Sequence, residues 1–334
     1  MDQYFKIYQK FDIHRLMLTD KTCALMKYKN VIFKMRKIFE GKVVMDVGAG
    51  SGILSIFCAE VGAKKVYAVE ASTLANIIEQ VSIENNLQDT IKVIHSKVED
   101  IHPDSLEKID IIVSLWMGFC LINEGMLDSV LFARDNFLRS GGLIFPFEAS
   151  LHASPCQLPS MYKFGVKSGV SLPVYLSMRC IGKEYRKIES IEESIDEPVV
   201  LLLNRDNLLP EEKLFAFLDL RHIPVEEVNL LRKYKIFMCK KDGKHQGICI
   251  WFKLYFPDFC SFLSTAPYYE TTHWKQTVFV LPVDTVLPVN RKAKERDYFA
   301  CKLELKELNL WHYKVEITLI KADDEVNLRD LATL

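Results

Sequence analysis

A short apolar run that breaks into three closely spaced glycines constrains this chain more than any other feature: Val43-Val-Met-Asp46-Val-Gly48-Ala-Gly50-Ser-Gly52. Val43–Val47 reads as a buried strand and Ile53–Val61 as an apolar helix, so the glycines occupy a strand-to-helix turn. Glycine there lets the backbone pass close to a ligand, and the helix N-terminus presents unpaired N–H groups. A nicotinamide dinucleotide loop places its third glycine five positions after the first. Here the third comes at four and Ile53 follows. That is the spacing of a loop for S-adenosylmethionine (AdoMet), in which no pyrophosphate is bound and the methionine part lies over the turn. Asp46 precedes the loop, and Glu70 closes the next strand, where a carboxylate can accept both hydroxyls of a ribose.

The surrounding pattern sets the fold class. Lys65–Val69, Ile91–Ile94 and Ile109–Val113 read as further strands with helical patterns between them, and Gly141-Gly142 as a turn into Leu143–Phe145, ended by Pro146. Strands alternating with helices predict a parallel, doubly wound α/β sheet. Before it, residues 3–40 read as helices, with Leu16, Met17, Leu25, Met26, Ile32 and Phe33 recurring at roughly helical spacing. After Pro146 the period changes to two: Tyr313, Val315, Ile317 and Leu319 alternate with polar residues, as do Leu303 and Leu305. That predicts an antiparallel sheet or barrel.

Composition excludes several alternatives. The formal net charge of the 334 residues is −1, which implies no general attraction to nucleic acid or an anionic membrane. No apolar run approaches the ~18 residues of a membrane helix. The start, Met1-Asp2-Gln3-Tyr4-Phe5-Lys6, lacks the basic and apolar segments of a signal peptide. The nine cysteines are odd in number and free of CxxC pairs, as expected of reduced thiols in the cytoplasm or nucleus. The eight histidines show no ligand spacing, so no metal is expected.

The stretch from Val43 to Pro146, with Trp116-Met-Gly118, Met126-Leu-Asp128 and Leu131-Phe-Ala-Arg-Asp135, closely resembles the core of protein arginine methyltransferases. Tyr4-Phe5-Lys6-Ile7-Tyr8 is similar to that family's N-terminal tyrosine motif, and Thr272-His273-Trp274 to its THW loop. The resemblance spans nearly the whole chain in three separated motifs. It implies cofactor-covering helices over residues 1–40, a Rossmann-like AdoMet domain over 41–146 and a β-barrel substrate domain over 147–334. It also implies a dimerisation arm at about 158–187, hence a homodimer or a heterodimer with related methyltransferases. Arginine-containing basic proteins, such as histones or RG-rich proteins, are the implied substrates. Glu99 then approaches the adenine, assisted by the Val98 backbone, and His14 and Asp20 sit on the helix that closes over AdoMet. Tyr8 seats the substrate, and His273, partnered by Asp20, shapes the pocket. Met17 and Met126 match the family's pocket methionines, although core packing reads equally well for both. Trp274 fits either barrel core or pocket wall.

Methylating arginine is chemically awkward, because the guanidinium stays charged to pH ~12 or beyond and its lone pairs are delocalised. Two carboxylates gripping it localise the positive charge on one nitrogen and free the other for attack. The family's loop carries two glutamates for this task. Here it reads Ser114-Leu115-Trp116-Met117-Gly118-Phe-Cys-Leu-Ile-Asn-Glu124, so the second is present as Glu124 and the first has become Leu115. The arginine that pairs with the first is also missing, its position falling on Cys23 or Ala24. Losing one member of a buried ion pair strands a charge at a cost of ~3–5 kcal/mol, whereas losing both removes that penalty. Two expectations follow: a slowed arginine methyltransferase using Glu124, or an inactive AdoMet-binding partner of active relatives. Leu115 itself also reads as an extension of the strand Ile109–Val113. The acidic run from Glu189 to Glu197 reads as a solvated edge.

Overall fold

The computed structural model describes residues 24–122, 125–159, 198–209, 212–228, 230–238, 242–280, 292–293, 298–309 and 312–321. Helix α1 (Ala24–Lys34) and a short α2 (Arg36–Phe39) lead into β1 (Val43–Val47). Then follow α3 (Ile53–Glu60), β2 (Lys65–Val69), α4 (Ala75–Glu84), β3 (Ile91–Ile94), β4 (Ile109–Val113), α5 (Met126–Phe137) and β5 (Leu138–Phe145). The five strands form one sheet in the order β3-β2-β1-β4-β5, every pairing parallel. The order reverses between β1 and β4, which makes the carboxyl ends of β1, β2 and β4 the natural ligand crevice. β1 is buried along its whole length, as a strand covered on both faces must be.

Two local expectations are corrected. Gly141 and Gly142 do not turn into a new strand. α5 runs straight into β5 at Leu138, and the extra residues bulge out between the pairs Ile109↔Leu138 and Ile111↔Leu143, with Gly141 at φ +75°. Leu115 does not extend β4, which ends at Val113. The Ser114 N–H still donates to the Phe145 carbonyl at 3.2 Å, but its own carbonyl accepts from the Tyr28 hydroxyl at 2.9 Å instead of a strand, and its hydroxyl donates to the Val47 carbonyl at 2.7 Å.

Beyond Pro146 every strand pairing among the described residues is antiparallel. β6 (Glu148–Cys156), β7 (Val199–Leu201), β8 (Lys213–Asp219), β9 (Leu230–Met238), β10 (Gly243–Lys244) and β11 (Gly247–Tyr255) are followed by β12 (Phe262–Ser264) and β13 (Gln276–Val280). β14 (Lys292–Ala293), β15 (Tyr298–Asn309) and β16 (His312–Lys321) complete the described strands. The main sheet runs β7-β13-β11-β6-β8 with β12 on β11, and a second runs β16-β15-β9. The alternation read in the sequence becomes register here: Leu303 lies opposite Ile317 and Leu305 opposite Val315. The arm expected at about 158–187 lies outside the described residues from 160 onward.

The parallel and antiparallel parts share one apolar core, in which β1, β4 and α5 are continuous with Leu151, Phe252, Leu254 and Phe256. Polar contacts pin the junction at three places. Lys34 pairs with Asp258 at 2.7 Å. Trp274 Nε1 donates to the Met117 carbonyl at 3.2 Å. Arg134 on α5 donates from one nitrogen to the Leu220 and Ile223 carbonyls at 2.8 and 2.7 Å. Replacing Arg134 by Met keeps the stem and leaves both carbonyls unpaired, so the urea midpoint should fall by the equivalent of about 2–4 kcal/mol.

Candidate cofactor and acceptor site

Gly48, Gly50 and Gly52 all have positive φ, at +68°, +56° and +78°. At Gly48 the freedom is used for close approach as well, since a Cβ there would collide with the Met126 methyl. At Gly52, which caps α3, a Cβ would lie 2.8 Å from Ile78 Cγ2. The loop is tied to the end of β2 by the Gly48 and Ala49 N–H groups, both donating to the Val69 carbonyl at 2.9 and 3.0 Å. Glu70 completes the closure: one carboxylate oxygen accepts the Gly50 N–H at 2.8 Å and the other the Ser72 N–H at 2.7 Å. Glu70 is buried, not a solvated strand end. Each of its oxygens keeps a further lone pair, so it can still receive hydroxyl donors from a ligand.

Asp46 lies beneath this loop, 1% exposed. The Ser55 hydroxyl donates to one of its oxygens at 2.7 Å, and the other is buried without a partner. Burial pushes the Asp46 carboxyl up to about 7; the Ser55 bonds pull it down, and the nearby Glu70 charge adds to the rise. A buried acceptor without a donor carries a desolvation cost that a ligand donor would relieve. These carboxylate acceptors therefore fit a ligand bearing vicinal hydroxyls at Glu70 and a donor group near Asp46.

The side wall comes from the segment after β3. Val98–Asp100 forms a single 3₁₀ turn with Val98 buried. Glu99 Oε1 accepts from the Ser129 hydroxyl at 2.5 Å, which ties this turn to α5. Ser129 was missed by sequence reasoning. The signal was present in its spacing, one helical turn beyond Met126, whose methyl already reaches Gly48.

On the other side of the crevice, the loop after β4 carries Leu115, half-buried against the core, and the buried Trp116 and Met117. Trp274 is 4% exposed, lies edge-on to Phe252 with ring centroids 5.4 Å apart, and bonds the Met117 carbonyl. It thus belongs to the core and to the loop contact together. His273 is half-buried, its ring centroid 3.8 Å from that of Trp274. The structure gathers Asp46, Gly48, Gly50, Gly52 and Glu70 at the ends of β1 and β2, with Val98, Glu99 and Met126 beside them. Trp274 bonds the Met117 carbonyl in the loop after β4, and His273 lies against the Trp274 ring. Tyr8, His14, Met17, Asp20, Cys23 and Glu124 lie outside the described residues. Ala24, the other position for the missing arginine, is buried at the start of α1. Among the described residues no group of three or more His, Cys, Asp or Glu is placed to hold a metal ion, and no helix is long and apolar enough to cross a membrane.

A doubly wound sheet, a closely spaced glycine turn and a carboxylate ending β2 define the methyltransferase class. Residues 27–123 match the family model of ribosomal protein L11 methyltransferase, and residues 148–319 match that of the arginine methyltransferase oligomerization subdomain. The chain is 38% identical over 281 residues to protein arginine N-methyltransferase 6 of Danio rerio, covering 83% of this chain and 78% of that one. It is 37% identical over 285 residues to protein arginine N-methyltransferase 1 of Caenorhabditis elegans, covering 84% and 78%. A crystal structure of PRMT6 with SAH superposes with a TM-score of 0.70 at 25% identity, over 93% of this chain and 100% of that one. The Trypanosoma brucei PRMT1 enzyme–prozyme heterotetrameric complex shares the fold, with a TM-score of 0.74 at 24% identity over 94% and 99%. This chain belongs to the protein arginine methyltransferase family.

Asp46 gives the site a pH signature. Its folded pKa lies above the unfolded value of 3.8, so the folded protein holds a proton that the unfolded chain releases. The associated stability is full below about 4 and is lost as pH rises to about 7. Asp46→Asn should flatten the pH dependence of stability across that window in the ligand-free protein, which amounts to at most ~4 kcal/mol. An unchanged slope would remove Asp46 as the titrating group.

Proposed function

We propose that this chain transfers a methyl group from AdoMet to arginine side chains of basic proteins, such as histones or RG-rich proteins, at a rate lowered by Leu115. The observation that supports the reading most is the cofactor end: Glu70 closing the glycine loop, Asp46 with a buried acceptor beneath it, and Glu99 fixed by Ser129. When bound, AdoMet supplies an electrophilic methyl on a sulfonium. Glu70 would take the ribose hydroxyls, and Glu99 with the Val98 backbone would take the adenine edge. The methionine part would lie over Gly48–Gly52, with Tyr8 and His14 covering it.

At the acceptor side, Glu124 is the remaining carboxylate for the guanidinium. It would hold charge on one nitrogen while the other is aimed at the methyl, a task that is mainly positioning. His273 and Asp20 would shape the pocket, with Tyr8, Met17, Met126 and Trp274 as its walls. A single carboxylate still gives a charge-assisted bond of ~1.5–3 kcal/mol. Losing the second would cost ~10²–10³ in rate, by analogy with removal of one electrostatic donor. Assembly as a homodimer, or a heterodimer with a related methyltransferase, belongs to this reading and is supported by the match to the oligomerization subdomain.

Leu115 favours a second reading, in which the chain binds AdoMet without transferring methyl and regulates an active relative. Labelled AdoMet with a histone or RG-rich peptide separates the two. Slow label transfer that Glu124→Gln abolishes, and that the double change Leu115→Glu with Cys23→Arg raises ~10-fold or more, is the expected result. Tight AdoMet binding with no transfer to either peptide would establish the regulatory reading for those substrates.

A further inference from the structure

We infer that Tyr28 is a positioning residue for the acceptor loop, residues 114–122, acting with Trp274 through Met117. The inference rests on the methyl-transfer reading only for its effect on rate. The loop carries backbone that must be held from outside: Cys120 and Leu121 are consecutive non-glycine residues in the left-handed region, at φ +53° and +69°. L-residues avoid that region, and such conformations persist where the surroundings over-determine them.

Three neighbours do so here. Tyr28 on α1 is fully buried, and its hydroxyl donates to the Ser114 carbonyl at 2.9 Å and lies 3.8 Å from Met117 Sδ. Its ring is fixed by Phe256, edge-on at 5.0 Å. From the barrel side, Trp274 Nε1 takes the Met117 carbonyl at 3.2 Å. Burial pushes the Cys120 thiol up, and the neighbouring Thr277 on β13 acts against that rise. Met117 is therefore gripped at its side chain by α1 and at its backbone by the THW loop. Within the loop, the Gly118 and Leu121 N–H groups donate to each other's carbonyls at 3.0 and 3.1 Å, a two-bond bridge that reports how well the backbone is held. Leu115 and Trp116 lie between the two anchored residues, Ser114 and Met117, so Tyr28 fixes the position from which a carboxylate at 115 would act.

Hydrogen–deuterium exchange on the full chain, comparing wild type with Tyr28→Phe and Trp274→Phe, tests this directly. Tyr28→Phe leaves the buried Ser114 carbonyl unpaired, so the Gly118 and Leu121 amides should exchange about tenfold faster while Val43–Val47 amides stay unchanged. Trp274→Phe should loosen the same amides, and the double variant should do so less than additively. In the Leu115→Glu, Cys23→Arg background, Tyr28→Phe should lower kcat with KM for AdoMet unchanged. Exchange at Gly118 and Leu121 within twofold of wild type, or an equal rise in β1, would overturn the inference. Exchange needs no turnover, so a protein that transfers no methyl sinks the functional reading and leaves this one to be judged on the amides.

Discussion

Glu70 accepts the Gly50 N–H at 2.8 Å and the Ser72 N–H at 2.7 Å, and the geometry of the cofactor end follows from those two bonds. A buried carboxylate needs donors, and in a parallel sheet the backbone just beyond the strand ends can supply them. By drawing both segments toward the end of β2, Glu70 sets where Gly48 and Gly52 must turn. That turn admits the Met126 methyl against Gly48 and brings α5 close enough for Ser129 to reach Glu99. A chain lacking the carboxylate would keep the Gly48 and Ala49 bonds to Val69 and lose the acceptor of the Gly50 N–H.

Leu115 reads differently once its surroundings are known. It is packed partly against the shared core, and Ala24 is buried at the start of α1. With Ala24 as the counterpart of the missing arginine, both halves of the absent ion pair are apolar. Such a pair of exchanges leaves no stranded charge and is close to neutral for stability. The fold therefore bears no record of the loss. In the proposed reading its consequence would fall on chemistry, at a loop that Tyr28 and Trp274 both bond.

Much of the fold was legible because its signals are local. Val43–Val47, Lys65–Val69, Ile91–Ile94 and Ile109–Val113 were readable from apolar runs between turn residues, and their strand bounds agree with the structure. What escaped the sequence depends on partners distant in the chain. Tyr28 and Ser114 are 86 residues apart, and Trp274 and Met117 are 157 apart. No spacing rule links such positions. The Gly141-Gly142 segment misled for a related reason: its glycines suit a turn, but the sheet register absorbs them as a bulge. Asp46 and Glu70 were visible as types at positions, while the serine on one and the two backbone donors on the other appear only in three dimensions.

The Arg134 contact has a bearing on how the chain is made. The parallel sheet is complete at Phe145, yet the carbonyls that satisfy Arg134 belong to Leu220 and Ile223, and the ring that packs on Tyr28 belongs to Phe256. A ribosome delivers these segments in that order, so the first half emerges with the Arg134 guanidinium lacking its two carbonyls and the Tyr28 ring lacking Phe256. Until the barrel arrives, α1 and α5 carry an unfinished surface. The N-terminal half alone would be a poor truncation product, prone to association through the face that Leu220, Ile223 and Phe256 later cover.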